Sequence, residues 1–340
     1  MIRTRVYRGG RLVAEDCDPD LISDYLALPD HVVWLDVAHA ARQELGLFQQ
    51  EFGLHPLAVE DATHSHQRPK VDRYRNHLFC AVYAARLRDG GPGPAGPGPV
   101  PETESPRNLE LITCEVDIFL GRQYLITVRK DPLWDIEPVL HRWERRDDLL
   151  EHGVAFMLHG LLDQIVDEYG QVAETLDDRL DEVEERLLVQ QGVGDLQSDL
   201  LDLRRAVVGL RKVVLPLREG FHTLTEGHIV EISEQMRPYF DDVRDHVLRV
   251  GGDLDAVQEL LLNAIQLNMS MASNRLNVIM RQLTSWAAII GSNTVVAGIY
   301  GMNFRLWPHN HNPAGFWIAI GFMLTFSVTL FRYFRRKGWL

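Results

Sequence analysis

The chain has 340 residues, with 48 Asp and Glu against 35 Lys and Arg, and a formal net charge of −13. Residues 271–340 contain seven Lys or Arg and neither Asp nor Glu, so the first 270 residues carry a charge of about −20. An acidic domain followed by a basic, apolar segment argues against a nucleic-acid partner, and it fits either a cation as partner or an ordinary solvated surface.

Residues 1–148 are predicted to form a cytoplasmic α/β domain. The opening MIRTRVYRGGRL has no apolar run that could act as a signal peptide, and three scattered cysteines without a C-x-x-C pair argue against a disulfide framework. HVVWLDV and HLFCAVYAARL are typical of strands, and LELITCEVDIFLGRQYLITV of a hairpin around Gly121. The Gly/Pro-rich residues 89–106 between them are predicted to form a flexible excursion.

Residues 149–280 are predicted to be helical. The first helix has apolar residues at positions 158, 162, 165, 169, 172, 176, 180, 183 and 187. VGDLQSDLLDLRRAVVGLRKVV continues as a second helix up to Pro216, so an antiparallel pair that packs on a third helix is expected. Ten carboxylates lie between Asp163 and Glu185, and they form either a solvated face or a reservoir for divalent ions.

A third, long helix is predicted from about Tyr239. Apolar residues keep the helical spacing at positions 243, 247, 250, 254, 257, 261 and 264, and Gly251-Gly252 is its weak point. If this helix continues into the apolar segment that follows, it is about 60 residues or ~90 Å long.

Residues 281–340 contain two uncharged apolar runs, 282–302 and 313–331, each long enough to cross ~30 Å of hydrocarbon. Arg275 and Arg281 precede the first run and the basic tail 332–340 follows the second, so both termini are predicted to be cytoplasmic and the loop 303–312 external. A buried helical hairpin in a soluble core is the alternative.

The first apolar run carries a stripe of small and polar residues on one helix face. Its members are Asn277, Met280, Thr284, Ala287, Gly291, Thr294, Gly298 and Gly301. Two spans cannot enclose a water-filled path, so a conducting protein would need several copies around one axis. Small residues also line ordinary helix contacts in membranes, and the stripe alone does not separate the two readings.

Other chemistry has little support in the sequence. The pairs His64/His66 and His309/His311 have no carboxylate or thiol partner nearby and are weak metal motifs. A Walker A loop, a dinucleotide fingerprint and a nucleophile-base arrangement are all missing, so we expect neither an enzyme, nor an ATP-driven pump, nor an organic cofactor.

YGMN at the end of the first span, together with FGLHPLAVED, QRPKVD, LPLRE, PYFDDVRDH and the closing GWL, resembles the CorA family of divalent-cation channels in the family's own order. This resemblance covers most of the chain. It implies an α+β membrane protein that assembles as a funnel-shaped homopentamer, with an N-terminal α/β domain, a long stalk helix beside an antiparallel helical pair, and a pore lined by the first of two transmembrane helices.

The resemblance also implies roles for particular residues. Within the selectivity motif Tyr300, Gly301, Met302 and Asn303, five Asn303 amides and the Gly301 carbonyls are implied to hold hydrated Mg²⁺ at the outer mouth. The stripe from Asn277 and Met280 through Thr284, Gly291, Thr294 and Gly298 is implied to line the pore. An inhibitory Mg²⁺ site is implied at Asp242, with Asp89 as an expected partner.

Three departures from the family pattern affect these implications. Gly291-Ser292 stands where the family often has Met-Pro, which removes a hydrophobic constriction. The outer loop LWPHNHN lacks the family's carboxylate. Met302 is retained, whereas the zinc-efflux branch replaces it, and this favours Mg²⁺.

We therefore expect passive influx of Mg²⁺, and also of Co²⁺ or Ni²⁺, across the cell (inner) membrane, with closure by intracellular Mg²⁺ bound between subunits. The membrane potential would supply the driving force. Transport of zinc or another transition metal by the same fold, or a membrane-tethered ion sensor that does not conduct, is the alternative.

Overall fold

The computed structural model describes residues 2–17, 22–40, 42–65, 67–90, 108–131, 134–189, 193–225, 229, 232–302 and 313–340. The chain divides into two compact units, Met1–Ala264 and Ile265–Leu340. Among the described residues, the first unit contains a β-sheet with helices, and the second contains helices.

The first unit is built on a seven-stranded sheet in the order β2-β1-β3-β7-β6-β5-β4. The strands are β1 (Ile2–Arg8), β2 (Arg11–Glu15), β3 (His31–Ala38), β4 (Lys70–Arg73), β5 (Leu78–Gly90), β6 (Asn108–Leu120) and β7 (Tyr124–Arg129). Only the pair β3 and β7 is parallel; the other neighbouring pairs are antiparallel. The predicted strands and the hairpin β6–β7 are therefore confirmed.

Short helices complete the α/β part of this unit: α1 (Ile22–Leu26), α2 (Arg42–Phe52), α3 (Pro56–Thr63), α4 (Glu137–Glu144) and α5 (Asp147–Leu150). Apolar residues of β1, β3 and β7 form a core with α1, α2 and α3, in which Leu35, Phe48 and Ile126 are almost completely buried. Burial of side chains of this size contributes roughly 1.5–3 kcal/mol each.

Two long helices, α6 (Val154–Val189) and α7 (Val193–Thr225), pack on the sheet. The nine apolar positions predicted from the helical spacing of α6 are all buried. Arg186 near the end of α6 pairs with Asp199 near the start of α7 at 2.6 Å, as expected for an antiparallel pair.

Helix α7 was predicted to end at Pro216, and this prediction is wrong. The helix continues to Thr225. Proline removes one backbone hydrogen bond and disfavours a helix interior by about 3 kcal/mol. Val214, Leu217 and Phe221 around it are almost fully buried, and this packing stabilises the helix through the proline.

Two glycines bring α7 close to the sheet. A Cβ atom at Gly209 would lie 2.8 Å from Leu111 Cδ2, and one at Gly220 would lie 2.7 Å from Val71 Cγ2. Real Cβ atoms do not come this close, so a side chain at Gly220 would have to displace the β-branched Val71, whereas one at Gly209 would have to displace the end of the Leu111 side chain.

Helix α8 (Arg237–Tyr300) is continuous over 64 residues, which confirms the predicted long helix. Its apolar positions from 243 to 264 are buried as predicted, and the helix runs through Gly251 and Gly252. The second unit contains the later part of α8 and helix α9 (Pro313–Arg336). Both helices contain a stretch long and apolar enough to cross a membrane.

Strand β5 continues through Gly90, so Asp89, which was predicted to begin the Gly/Pro excursion, is the second-last residue of a strand. The rest of that excursion lies outside the described residues.

Candidate ion path and candidate metal site

The predicted pore stripe occupies one exposed face of α8. Six residues that are predicted to line the pore are all exposed in the single chain: Asn277, Met280, Thr284, Gly291, Thr294 and Gly298. In a helix of an isolated subunit, exposure is expected for a surface that faces an ion path, a neighbouring subunit or lipid.

Helix α9 packs on the other side of α8. The ring of Trp286 lies 6.2 Å from that of Phe331, and Ser285 and Ile289 are buried. At about 100° per residue, Ile289 lies nearly opposite the stripe, and Ser285 and Trp286 lie on either side of Ile289, away from the centre of the stripe. The stripe is therefore not the surface that holds this helical pair together.

Asn293 provides a polar contact between α8 and α9 that the sequence reading missed. Its Nδ2 donates to Ser327 Oγ at 2.8 Å, and the same hydroxyl donates to Asn293 Oδ1 at 3.1 Å. An amide in an apolar helix needs such partners, because lipid offers none. Each apolar run contains several polar residues, and no local pattern in the sequence indicates which two of them pair.

Two threonines of the stripe satisfy their own hydroxyl donors. Thr284 Oγ1 donates to the Met280 carbonyl at 2.7 Å, and Thr294 Oγ1 donates to the Ile290 carbonyl at 3.0 Å. Each hydroxyl oxygen keeps lone pairs that can accept hydrogen bonds from water. The exposed face is therefore able to interact with a hydrated cation.

The structure describes only part of the predicted selectivity motif. Tyr300 is the last residue of α8, and the Gly301 N–H donates to the Ala297 carbonyl at 2.9 Å. A Cβ atom at Gly301 would lie 3.2 Å from the same carbonyl, so the turn at Gly301 and Met302 suits glycine. Asn303, His309 and His311 lie outside the described residues, and their roles stay predictions.

Asp242 belongs to a cluster in the first unit that is suited to a metal ion. One oxygen of Asp163 on α6, one oxygen of Asp242 on α8 and one nitrogen of His246 on α8 lie within 4.8 Å of one another. His246 Nε2 is 3.8 Å from Asp242 Oδ1. Two carboxylates offer the oxygen ligands that Mg²⁺ prefers, and imidazole also suits transition metals.

The surroundings of this cluster are charged and partly buried. Arg142 pairs with Asp163 and lies 2.9 Å from Asp167, whereas the Asp242 side chain is 65% exposed. Burial lowers the pKa of His159, one turn before Asp163, while the carboxylates of Asp163 and Asp242 oppose that shift. Because Asp242 is the most exposed member of the cluster, an ion in solution would reach this site from the side of Asp242.

The structure brings together a different set of residues from the one predicted. The backbone of Asp89 pairs with Leu109 in β5 and β6, and its side chain is outside the described atoms, so its link to Asp242 stays a prediction. In the sequence, nothing distinguishes Asp163 from the other nine carboxylates of α6 between positions 163 and 185. The four-residue spacing of Asp242 and His246 was the available signal, because such residues share a helix face.

The chain is similar to known proteins over most of its length. The profile of a family described as "CorA-like Mg2+ transporter protein" matches residues 29–336. A putative metal ion transporter of Bacillus subtilis, YfjQ, is 29% identical over 312 residues, 90% of this chain and 89% of that protein. The cobalt/magnesium transport protein CorA of Thermotoga maritima is 29% identical over 320 residues, 90% and 83% of the two chains.

A solved structure has the same fold. The complete structure of the CorA magnesium transporter from Methanocaldococcus jannaschii covers 100% of this chain and 98% of its own, with a TM-score of 0.72 and 21% identity. The similarity includes the two C-terminal helices.

Proposed function

Because the chain belongs to the CorA family of Mg²⁺ transport proteins, membrane proteins with two C-terminal transmembrane helices, we propose that it carries Mg²⁺ passively into the cell through a homopentameric pore. Co²⁺ or Ni²⁺ are proposed as further cargo. Both termini are proposed to be cytoplasmic. The observation that carries the proposal is the exposed stripe of α8, which α9 does not cover.

The stripe supports assembly around an axis. Two helices cannot enclose water, so the path forms only where the stripes of several copies face one another. Leu283, Ile290 and Val295 flank the stripe and are more than 60% exposed in the single chain. Contacts between neighbouring copies or with lipid would cover these apolar side chains.

The filter is proposed at Gly301 and Asn303. Mg²⁺ gives up its water reluctantly, so amide and carbonyl oxygens that accept hydrogen bonds from the hydrated ion suit it better than direct ligation. Five neutral amides also hold the ion more weakly than five carboxylates would, and conduction requires release.

Influx needs no chemical fuel. Two charges that move through 100 mV gain about 4.6 kcal/mol. This free energy corresponds to roughly three powers of ten in concentration ratio.

Closure by intracellular Mg²⁺ is proposed at Asp242. The sequence predicts an ion bound there between subunits, and the cluster shows which further groups of the same chain lie near Asp242. Asp163 on α6 already pairs with Arg142, and a cation that also binds Asp242 would link α6 to α8. An ion bound there favours the arrangement that keeps these helices together. It shifts the equilibrium only by its differential affinity for the two states.

Metal flux into vesicles that contain the purified full-length protein tests the proposal. We expect Mg²⁺ influx that a negative interior potential increases, and at least a tenfold loss for Asn303→Ala. The variant Asn312→Ala, in the same predicted loop, is the matched control and should keep wild-type flux.

Two outcomes would contradict the proposal. Flux of Zn²⁺ in preference to Mg²⁺ would favour a transition-metal transporter of this fold. Absence of flux for Mg²⁺, Co²⁺ and Zn²⁺ would favour a membrane-tethered ion sensor.

A further inference from the structure

A cavity of about 1050 Å³ lies between α7, residues 67–69 before β4, and strands β5 and β6, entirely within the first unit. Its α7 wall includes Gly209, positions 211–213, Leu215 and Pro216. On β6, Leu109, Leu111 and Thr113 alternate and so line it from one face of the sheet. Its volume suits a small organic ligand.

The cavity brings together two sequence segments that the proposed transport function does not use. Arg68 and Pro69 belong to QRPKVD, and Leu215 and Pro216 belong to LPLRE. Pro216 has no N–H, so the Lys212 carbonyl one turn earlier lacks its usual helical donor. These segments are about 150 residues apart in the chain and meet only in the folded domain.

The charge of the lining is opposite to that of the domain. Its cations are Arg68, Arg205, Arg211 and Lys212, and its acidic residues are Glu110 and Asp202. Asp202 pairs with Arg205 at 3.1 Å, Glu110 pairs with Arg88, and Arg211 pairs with Asp255. Within the described part of the chain, Arg68 and Lys212 have no ion-pair partner.

Two uncompensated cations therefore face one cavity in a portion of the chain whose net charge is about −20. Guanidinium and ammonium groups at such positions attract phosphate oxygens. Leu109, Leu111 and Leu215 offer an apolar surface beside them. The lining thus matches a ligand with an apolar body and anionic groups.

We propose that this cavity binds a nucleoside phosphate, with its phosphates toward Arg68 and Lys212 and its base against the leucines. The proposed role is binding. The site is independent of the proposed ion path, and either can fail without the other.

Isothermal titration of the full-length protein in detergent, with EDTA to remove divalent ions, tests this site with ATP, adenosine and inorganic phosphate. We expect saturable binding of ATP, and at least tenfold weaker binding of the two fragments. Lys212→Glu and Arg68→Glu should each weaken ATP binding at least tenfold. Arg218→Glu, an exposed charge reversal on α7 outside the cavity, should change it less than twofold.

Hydrogen exchange provides a second measurement. It uses the wild-type protein, so a folding defect of a variant cannot affect the result. ATP should protect residues 205–216 of α7. The proposal is wrong if ATP does not bind saturably, if inorganic phosphate binds as tightly as ATP, or if Arg218→Glu weakens binding as much as Lys212→Glu.

Discussion

Asp242 is the residue at which the closure hypothesis can be tested most directly. Asp242→Ala removes one of the two carboxylates that a bound cation would bridge. We expect influx to continue at internal Mg²⁺ concentrations at least tenfold above those that close the wild-type protein. The measurement is Mg²⁺ uptake into vesicles loaded with increasing Mg²⁺.

Asp253→Ala is the control for Asp242→Ala, because Asp253 is an exposed carboxylate on the same helix, three turns further on. Its response to internal Mg²⁺ should equal that of the wild type. If Asp242→Ala and Asp253→Ala behave alike, Asp242 has no part in closure.

Asp117 on β6 should make the stability of the first unit depend on pH. Burial raises the pKa of this carboxyl from 3.8 to about 7, although Lys130 Nζ, 3.0 Å from its Oδ2, lowers it. Between about pH 4 and pH 7, Asp117 is therefore protonated in the folded state and ionised in the unfolded state. Within that window the free energy of unfolding falls as the pH rises, and above about pH 7 this contribution is lost.

Thermal melting of the full-length protein in detergent between pH 5 and pH 8 measures this dependence. Asp117→Asn should flatten the curve, because the amide does not titrate. Asp30→Asn, at an exposed turn position, should keep the wild-type slope. Equal slopes for all three proteins would show that Asp117 titrates normally.

Single residues of the candidate site were only partly predictable. Asp242 was identified through the family resemblance, but Asp163 lies 79 positions earlier, and no local pattern tells which of ten carboxylates faces α8. The contact of Asn293 with Ser327 was missed for the same reason. Local spacing identifies residues that share a face, whereas contacts between elements depend on packing.

At the scale of elements, periodicity predicted more. Apolar residues at helical spacing located α6 and α8 because burial of one face is what stabilises a long helix. The predicted end of α7 was wrong. Proline is unfavourable inside a helix, but the buried side chains of Val214, Leu217 and Phe221 stabilise α7 on both sides of Pro216, and the local sequence does not show this packing. Strand pairing across the sheet, with β3 beside β7, had no local signal.

Glycines in two helices should respond in opposite directions to replacement by alanine. Gly220→Ala on α7 places a Cβ 2.7 Å from Val71 Cγ2 and should destabilise the first unit by about 1–3 kcal/mol. Gly252→Ala on α8 meets no atom within 4 Å and should stabilise the helix by about 0.5–1 kcal/mol. Melting temperatures in detergent check both, and a higher value for Gly220→Ala than for Gly252→Ala would contradict this account of the packing.

For the whole molecule, the proposed pore predicts which positions are reached from water. Thr294→Cys on the stripe should react with a small cationic thiol reagent and lose more than 90% of the influx. Ser285→Cys, which is buried on the side of α8 near α9, should keep its influx after treatment with the reagent. The wild type, whose cysteines are Cys17, Cys80 and Cys114, should also keep its influx.

The proposed pore also predicts the mass of the assembly. Native mass spectrometry should give a particle of about five times 38.9 kDa.

Loss of influx in Ser285→Cys rather than Thr294→Cys would place the path on the other side of α8. A particle of one or two chains that still conducts would contradict the pentamer.

The polar stripe of α8 also affects how this protein enters the membrane during synthesis. The most apolar stretch of α8 is less apolar than that of α9, and the amide of Asn293 has its partner, Ser327, on the later helix. A nascent first span with unpaired polar groups partitions weakly into lipid. The helix proposed to carry ions is therefore the poorer anchor, and its stable insertion depends on α9, a helix that contributes nothing to the proposed path.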